Sequence, residues 1–219
     1  MLKTLRKLID KIVIMLFPSA CIKFKPAKTK MSCDQKLNEN ICYIFDYKEA
    51  RNIILRFKKY GEEECAEILA EYLADFLLNF ISEQNEWQSQ NFWLGFVPSH
   101  KSKIKKRGFE PNALLFNKLK KHIDKSGFNV ELKKDILVKL TENLEQKGLS
   151  KKDRLLNVSG VFTVTDKIQK RYSKEPIIIF DDVSTSGATL KEAKRTILKH
   201  MPKARGRIFL LTIANHKLS

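Results

Sequence analysis

The chain has 219 residues, 43% of them hydrophobic, which is enough for one substantial domain with an appendage and excludes a disordered chain or a miniature disulfide scaffold. Only 8 Gly and 6 Pro occur, which disfavours collagen-like, linker-rich and many-turned all-β architectures. Lys and Arg number 42 against 25 Asp and Glu, and a net charge of +17 attracts phosphate-bearing partners: nucleic acid, an acidic membrane face or a phosphorylated metabolite.

In residues 1–17, Leu2, Leu5, Leu8, Ile9 and Ile12 form one helical stripe beside Lys3, Arg6 and Lys7. The apolar run at 12–17 is shorter than the roughly seven to fifteen residues of a signal core and the ~20 of a spanning helix. The segment reads as a basic amphipathic helix, packed on its own domain or lying on a membrane or partner. Cys21, Cys33, Cys42 and Cys65 contain no C-x-x-C pair and have no His at ligand spacing, so no zinc is expected and the thiols read as reduced. Residues 23–40 are Lys-rich and read as a linker. The division is thus 1–45, a basic segment with its linker, and 46–219, one domain.

Helical spacing across 47–80, broken at Gly61, predicts two helices. The continuous apolar run 92–97 suits a strand buried on both faces. A helix over Pro111–Ile123 follows, then a strand within 130–140, a capping box at 150–153 opening a short helix, and a strand at 161–164. Residues 176–180 form an apolar strand, 190–200 a helix and 207–214 a last strand. This alternation predicts an α/β protein with a parallel sheet flanked by helices.

The strongest chemical signal is Ile177 to Leu190, where an apolar strand runs into Asp181 and Asp182 and then a small, hydroxylated turn entering a helix. Ligands of open α/β sheets sit at strand carboxyl ends. Backbone N–H groups at the helix start, with the hydroxyls of Ser184, Thr185, Ser186 and Thr189, suit a phosphate dianion, and Gly187 lets the backbone approach it. Two carboxylates upstream would repel phosphate, so their partners are sugar hydroxyls and a divalent cation. The set asks for a sugar phosphate. The bland alternative is a βα loop whose hydroxyls satisfy its own backbone.

This block resembles the PRPP-binding motif of type I phosphoribosyltransferases. The resemblance implies that Asp181 and Asp182 hold the ribose 2- and 3-hydroxyls, directly or through Mg2+, and that Ser184, Thr185, Ser186, Gly187, Ala188 and Thr189 take the 5-phosphate. Val97-Pro98-Ser99-His100 followed by Arg107-Gly108-Phe109 is similar to the signature of ComF-type proteins, the phosphoribosyltransferase-like components of natural DNA uptake. Lys59-Tyr60-Gly61, Leu16-Phe17-Pro18 with Cys21, and the series Gln146, Leu149, Arg154, Asn157 and Phe162 resemble further ComF elements. The family's zinc-ribbon C-x-x-C pairs are missing here, and Glu110-Pro111 stands where it usually has Asn-Gln.

The resemblance implies a type I phosphoribosyltransferase-like fold with a short N-terminal helical appendage, and PRPP as ligand with Mg2+. In that setting Ser99, His100, Lys101, Gln146 and Arg154 would face the pyrophosphate, with Arg107 as a bidentate clamp and part of the catalytic set with Asp181 and Asp182. Residues 141–157 would correspond to the closing hood of such enzymes. Lys101, Lys103, Lys105 and Lys106 would equally contact a DNA backbone or form a solvated surface. The expected role is binding of Mg-PRPP in support of single-stranded DNA handling during transformation. A nucleobase-salvage phosphoribosyltransferase and a non-catalytic PRPP-binding adaptor of the DNA-uptake machinery remain open alternatives. The expected location is cytoplasmic, with contact at the inner membrane face left open.

Overall fold

The computed structural model describes residues 41–84, 91–140, 159–172 and 174–216, with the backbone of 32–34. The helix expected in 1–17, Cys21, the capping box at 150–153 and the hood candidates Gln146 and Arg154 lie outside the described residues. In chain order the elements are β1 (Ser32–Asp34), β2 (Ile41–Asp46), α1 (Tyr47–Tyr60), α2 (Glu63–Glu83), β3 (Phe92–Phe96), α3 (Lys101–Arg107), α4 (Pro111–Ile123), β4 (Val130–Leu132), β5 (Val138–Lys139), β6 (Phe162–Thr163), α5 (Asp166–Arg171), β7 (Ile177–Ser184), α6 (Ala188–His200) and β8 (Ile208–Asn215).

Apolar periodicity explains most of these. In α1, Ala50, Ile53, Ile54 and Phe57 fall on one face and are buried. The helix ends at Gly61, which adopts φ 67° and donates its N–H to the Phe57 carbonyl at 2.9 Å. In α2, Leu69, Leu73, Phe76, Leu77 and Phe80 repeat the pattern over about three turns. The strands instead bury both faces. Ile178 and Phe180 pack with Leu94, Phe96 and Leu211 against α1, α2 and α4. Ile177 and Ile179 pack with Trp93 and Leu210 against α5 and α6. Side chains of this size contribute about 1.5–3 kcal/mol each on full burial, so the two-sided sheet dominates the fold's stability.

The described sheet has the order β1-β2-β8-β7-β3-β4. β2, β8, β7, β3 and β4 run parallel, as expected for a type I phosphoribosyltransferase-like sheet, and β1 adds an antiparallel edge. The pair β5–β6 stands apart as a small antiparallel ribbon. From β3 the chain moves outward to β4, and from β7 it moves outward the other way to β8. That reversal opens a crevice beyond the carboxyl ends of β3 and β7, the place where α/β sheets take ligands.

Four features depart from the sequence reading. The sheet takes in Ile41–Asp46, so it reaches into the segment assigned to the appendage; the apolar stretch of β2 is almost wholly buried beside β8. Lys101–Arg107 is a helix that no sequence pattern announced, held by caps at both ends and not by apolar periodicity. A short helix, α5, precedes β7. Cys42 is disulfide-bonded, against the expectation of reduced thiols, while Cys65 is free and buried. The backbone register of β1 on β2 sets position 33 opposite Cys42. Among the described residues no helix is long and apolar enough to cross a membrane.

Candidate functional site

The ladder between β7 and β8 continues through Asp181↔Thr212 and Ser184↔Asn215, whereas the ladder between β7 and β3 stops at Phe180↔Phe96. Asp181 and Asp182 therefore belong to the strand itself, which runs to Ser184, four residues beyond the 176–180 read from the sequence, and they stand where β3 no longer covers them. Gly187 follows with φ 72°, the left-handed conformation that lets the chain turn into α6. A Cβ there would meet Ile41 Cδ1 at 2.6 Å, so the turn is built for glycine twice over.

Around this turn lies a cavity of about 240 Å³ bordered by residues 183–190, Asp181 and Lys58. Ser184 and Ser186 are buried, and Thr185 and Thr189 half-buried. Among the described residues none of these four hydroxyls has a hydrogen-bond partner, which is not what a loop satisfying its own backbone would show. The hydroxyls, with the N–H groups opening α6, remain available to an anion.

The carboxylates have partners of their own. Lys58 Nζ from α1 lies 2.9 Å from Asp182 Oδ2. Asp182 Oδ1 accepts the Val183 N–H at 2.7 Å, and Asp181 Oδ1 accepts the Asp182 N–H at 2.9 Å. Asn112 of α4 donates through Nδ2 both to the Val97 carbonyl at 2.8 Å and to Asp181 Oδ1 at 3.2 Å, tying the end of β3 to the acidic pair. Burial first, and then the Asp182 charge, push the Asp181 carboxyl up to about 7; Lys58, Asn112 and the Asp182 amide only partly offset them. For Lys58, burial works against the charge, but Asp182 and then Asp181 outweigh it and hold the ammonium above its usual range.

The second motif arrives from β3. His100 caps α3 by accepting the Ser102 N–H at 3.2 Å, and α3 ends at Gly108. Ser99 is turned toward Glu110: its N–H and its hydroxyl donate to the two carboxylate oxygens at 2.8 and 2.9 Å. Glu110 also caps α4 by accepting the Asn112 N–H at 3.3 Å. The Glu110 carboxylate thus clamps the 98–100 loop to the next helix. Lys101, Lys105, Lys106 and Arg107 are exposed, and Arg107 lies near enough to lower the proton affinity of Lys58. The Lys-Tyr-Gly and Arg-Gly-Phe elements meet as well, since a Cβ on Gly61 would lie 3.1 Å from the Phe109 ring.

The structure therefore brings together Asp181, Asp182 and the 184–189 turn, while Arg107 is exposed and is felt there only through its charge on Lys58. It engages Ser99 and His100 in local bonds. His122 of α4 lies 3.2 Å from Glu67 of α2, away from this site. Sequence reasoning missed Lys58 and Asn112. The signal for Lys58 was a cation at i+4 from Ile54, on the stripe that α1 otherwise buries. Asn112 carried no comparable mark, being one amide in the first turn of a helix.

For magnesium, the donor set is two adjacent carboxylates, and no cluster of three or more His, Cys, Asp or Glu gathers among the described residues. One or two carboxylates completed by substrate oxygens and water suit this hard, strongly hydrated ion, so Asp181 and Asp182 fit a cation that arrives on its ligand. Comparison with protein-family models and with curated proteins finds no match for the chain. Fold and site together define an α/β protein of parallel-sheet type with a hydroxyl-rich turn and an acidic pair at its topological switch point.

Proposed function

We propose that the cavity binds a 5-phosphorylated ribose carrying a 1-diphosphate, PRPP, with magnesium. The observation that carries this is the set of unpartnered hydroxyls and helix-start amides bordering the same cavity as Asp181. In this reading the 184–189 turn holds the 5-phosphate, Asp181 and Asp182 accept from the ribose hydroxyls, and the basic end of α3 with Arg107 faces the diphosphate. Bound magnesium would supply charge neutralisation on the pyrophosphate as it leaves C1. The residues themselves orient the sugar and stabilise charge, with little covalent work to do. At a sugar's length of roughly 7 Å, each carboxylate opposes each phosphate charge by about 2 kcal/mol at an effective dielectric of ~20, so a cation between them is required.

The resemblance to ComF-type proteins extends the reading to single-stranded DNA handling in DNA uptake, and the exposed lysines of α3 support that extension. Calorimetry with Mg-PRPP tests the core of it. The wild type should bind, and Asp181→Asn/Asp182→Asn should lose at least tenfold in affinity, as expected for removal of charge-assisted hydrogen bonds. Equal affinity in the two proteins would refute the assignment.

A further inference from the structure

Lys58 borders the cavity together with the 184–189 turn, and of the described lining residues it is the one carrying positive charge. Its helix would pack more easily with an apolar residue there, since Ile54 and Phe57 flank it on the buried stripe. A buried ion pair with Asp182 is weak grounds for keeping a lysine on such a stripe, because a well-packed apolar pair often serves stability as well or better. The side chain retains 27% exposure, so its head group is open to the crevice as well as to Asp182. A phosphate in the turn would sit near two carboxylates, and Lys58 borders the same cavity while pairing with Asp182.

We propose that Lys58 is a ligand-binding residue of this site, its ammonium reaching from Asp182 Oδ2 to the phosphate held by the Ser184 to Thr189 turn. This deepens the sugar-phosphate reading and rests on it. Lysine suits the task as a compact, flexible point charge with three donors, able to keep one bond to Asp182 while giving another to a phosphate oxygen. A purely structural lysine would act only through Asp182, and the two roles separate once Asp182 is neutralised.

The experiment titrates the full chain with inorganic phosphate and with ribose 5-phosphate by calorimetry, in wild type, Lys58→Met, Lys58→Arg, Asp182→Asn and the double variant Lys58→Met/Asp182→Asn. Circular dichroism melts check folding, and the double variant, which leaves no charge of the pair behind, carries the comparison if Lys58→Met alone does not fold. Lys58→Met should weaken inorganic phosphate about tenfold or more, Lys58→Arg should restore part of that, and Asp182→Asn should bind phosphate at least as tightly as wild type. The double variant should remain about tenfold weaker than Asp182→Asn. If it binds phosphate as tightly as Asp182→Asn, Lys58 serves only the aspartate and the inference is wrong. If neither wild type nor Asp182→Asn binds phosphate or ribose 5-phosphate, the sugar-phosphate reading itself fails, and this inference with it.

Discussion

Asp181 holds the sharpest electrostatic conflict in the described chain, and the conflict has a direction that can be measured. Its carboxyl moves from an ordinary 3.8 to about 7, chiefly by burial and then by the charge of Asp182. Between those values the folded protein keeps a proton that the unfolded chain has released, so stability falls as pH rises from about 4 to 7 and levels above it. Asp181→Asn should remove that slope and unfold at higher urea than wild type at pH 8, by about 1 kcal/mol or more, with little difference at pH 4. Urea titrations at the two pH values decide it, and a variant that keeps the wild-type slope would show that another group sets it. Gly61 offers a steric counterpart. Its φ of 67° and the Phe109 ring at 3.1 Å both resist a side chain, so Gly61→Ala should cost about 1–3 kcal/mol and lower the melting temperature accordingly. The two glycine-bearing elements stand far apart in sequence, and nothing in their spacing says that one would pack against the other.

Glu110 does at the level of elements what Asn112 does at the level of the acids. By accepting from Ser99 twice and from Asn112, one carboxylate fixes the loop after β3 to the start of α4. Glu110→Ala removes a helix cap and leaves the Ser99 donors seeking water, and should destabilise by about 2 kcal/mol. Glu110→Gln retains one acceptor oxygen and should lose about half as much; equal losses would mean that the packing of the side chain, rather than its hydrogen bonds, holds the loop. Elements of this kind mark the boundary of what sequence pattern can reveal. The helices α1, α2, α4 and α6 and the strands β3, β7 and β8 announce themselves because one face, or both, must be apolar to be buried. The helix α3 does not, because His100 and Gly108 define it by capping while four lysines and an arginine hide any stripe. The strand β2 escapes notice because a Lys-rich stretch precedes it and its burial depends on β8, about 170 residues further along the chain. The continuation of β7 through its two aspartates depends likewise on β8 alone, since β3 has already ended.

At the scale of the molecule, the site exists because the sheet reverses direction between β3 and β7, placing residues 97–109 and 181–190 side by side. The turn after β7 was legible from local chemistry alone, since an apolar strand, two acids and a run of hydroxyls are all contiguous. The cation beside it was not, because Lys58 reaches the pair through the packing of α1 on the sheet. Overall charge then sets how this crevice meets polyanions. With 42 basic against 25 acidic residues, and with Lys101, Lys105, Lys106 and Arg107 exposed along one short helix, single-stranded DNA would be held mainly through its phosphates. Binding of oligo-dT should therefore weaken linearly in log–log form as salt rises, with a slope of about −0.7 for each phosphate neutralised. Replacing Lys101, Lys105 and Lys106 by Gln should make that slope shallower by about 2 while leaving the melting temperature within about a degree or two, because these side chains contact solvent. Fluorescence anisotropy between 50 and 300 mM salt reads both slopes. An affinity indifferent to salt, or a triple variant with the wild-type slope, would place any DNA contact elsewhere and leave the helix as a solvated surface beside a small-molecule site.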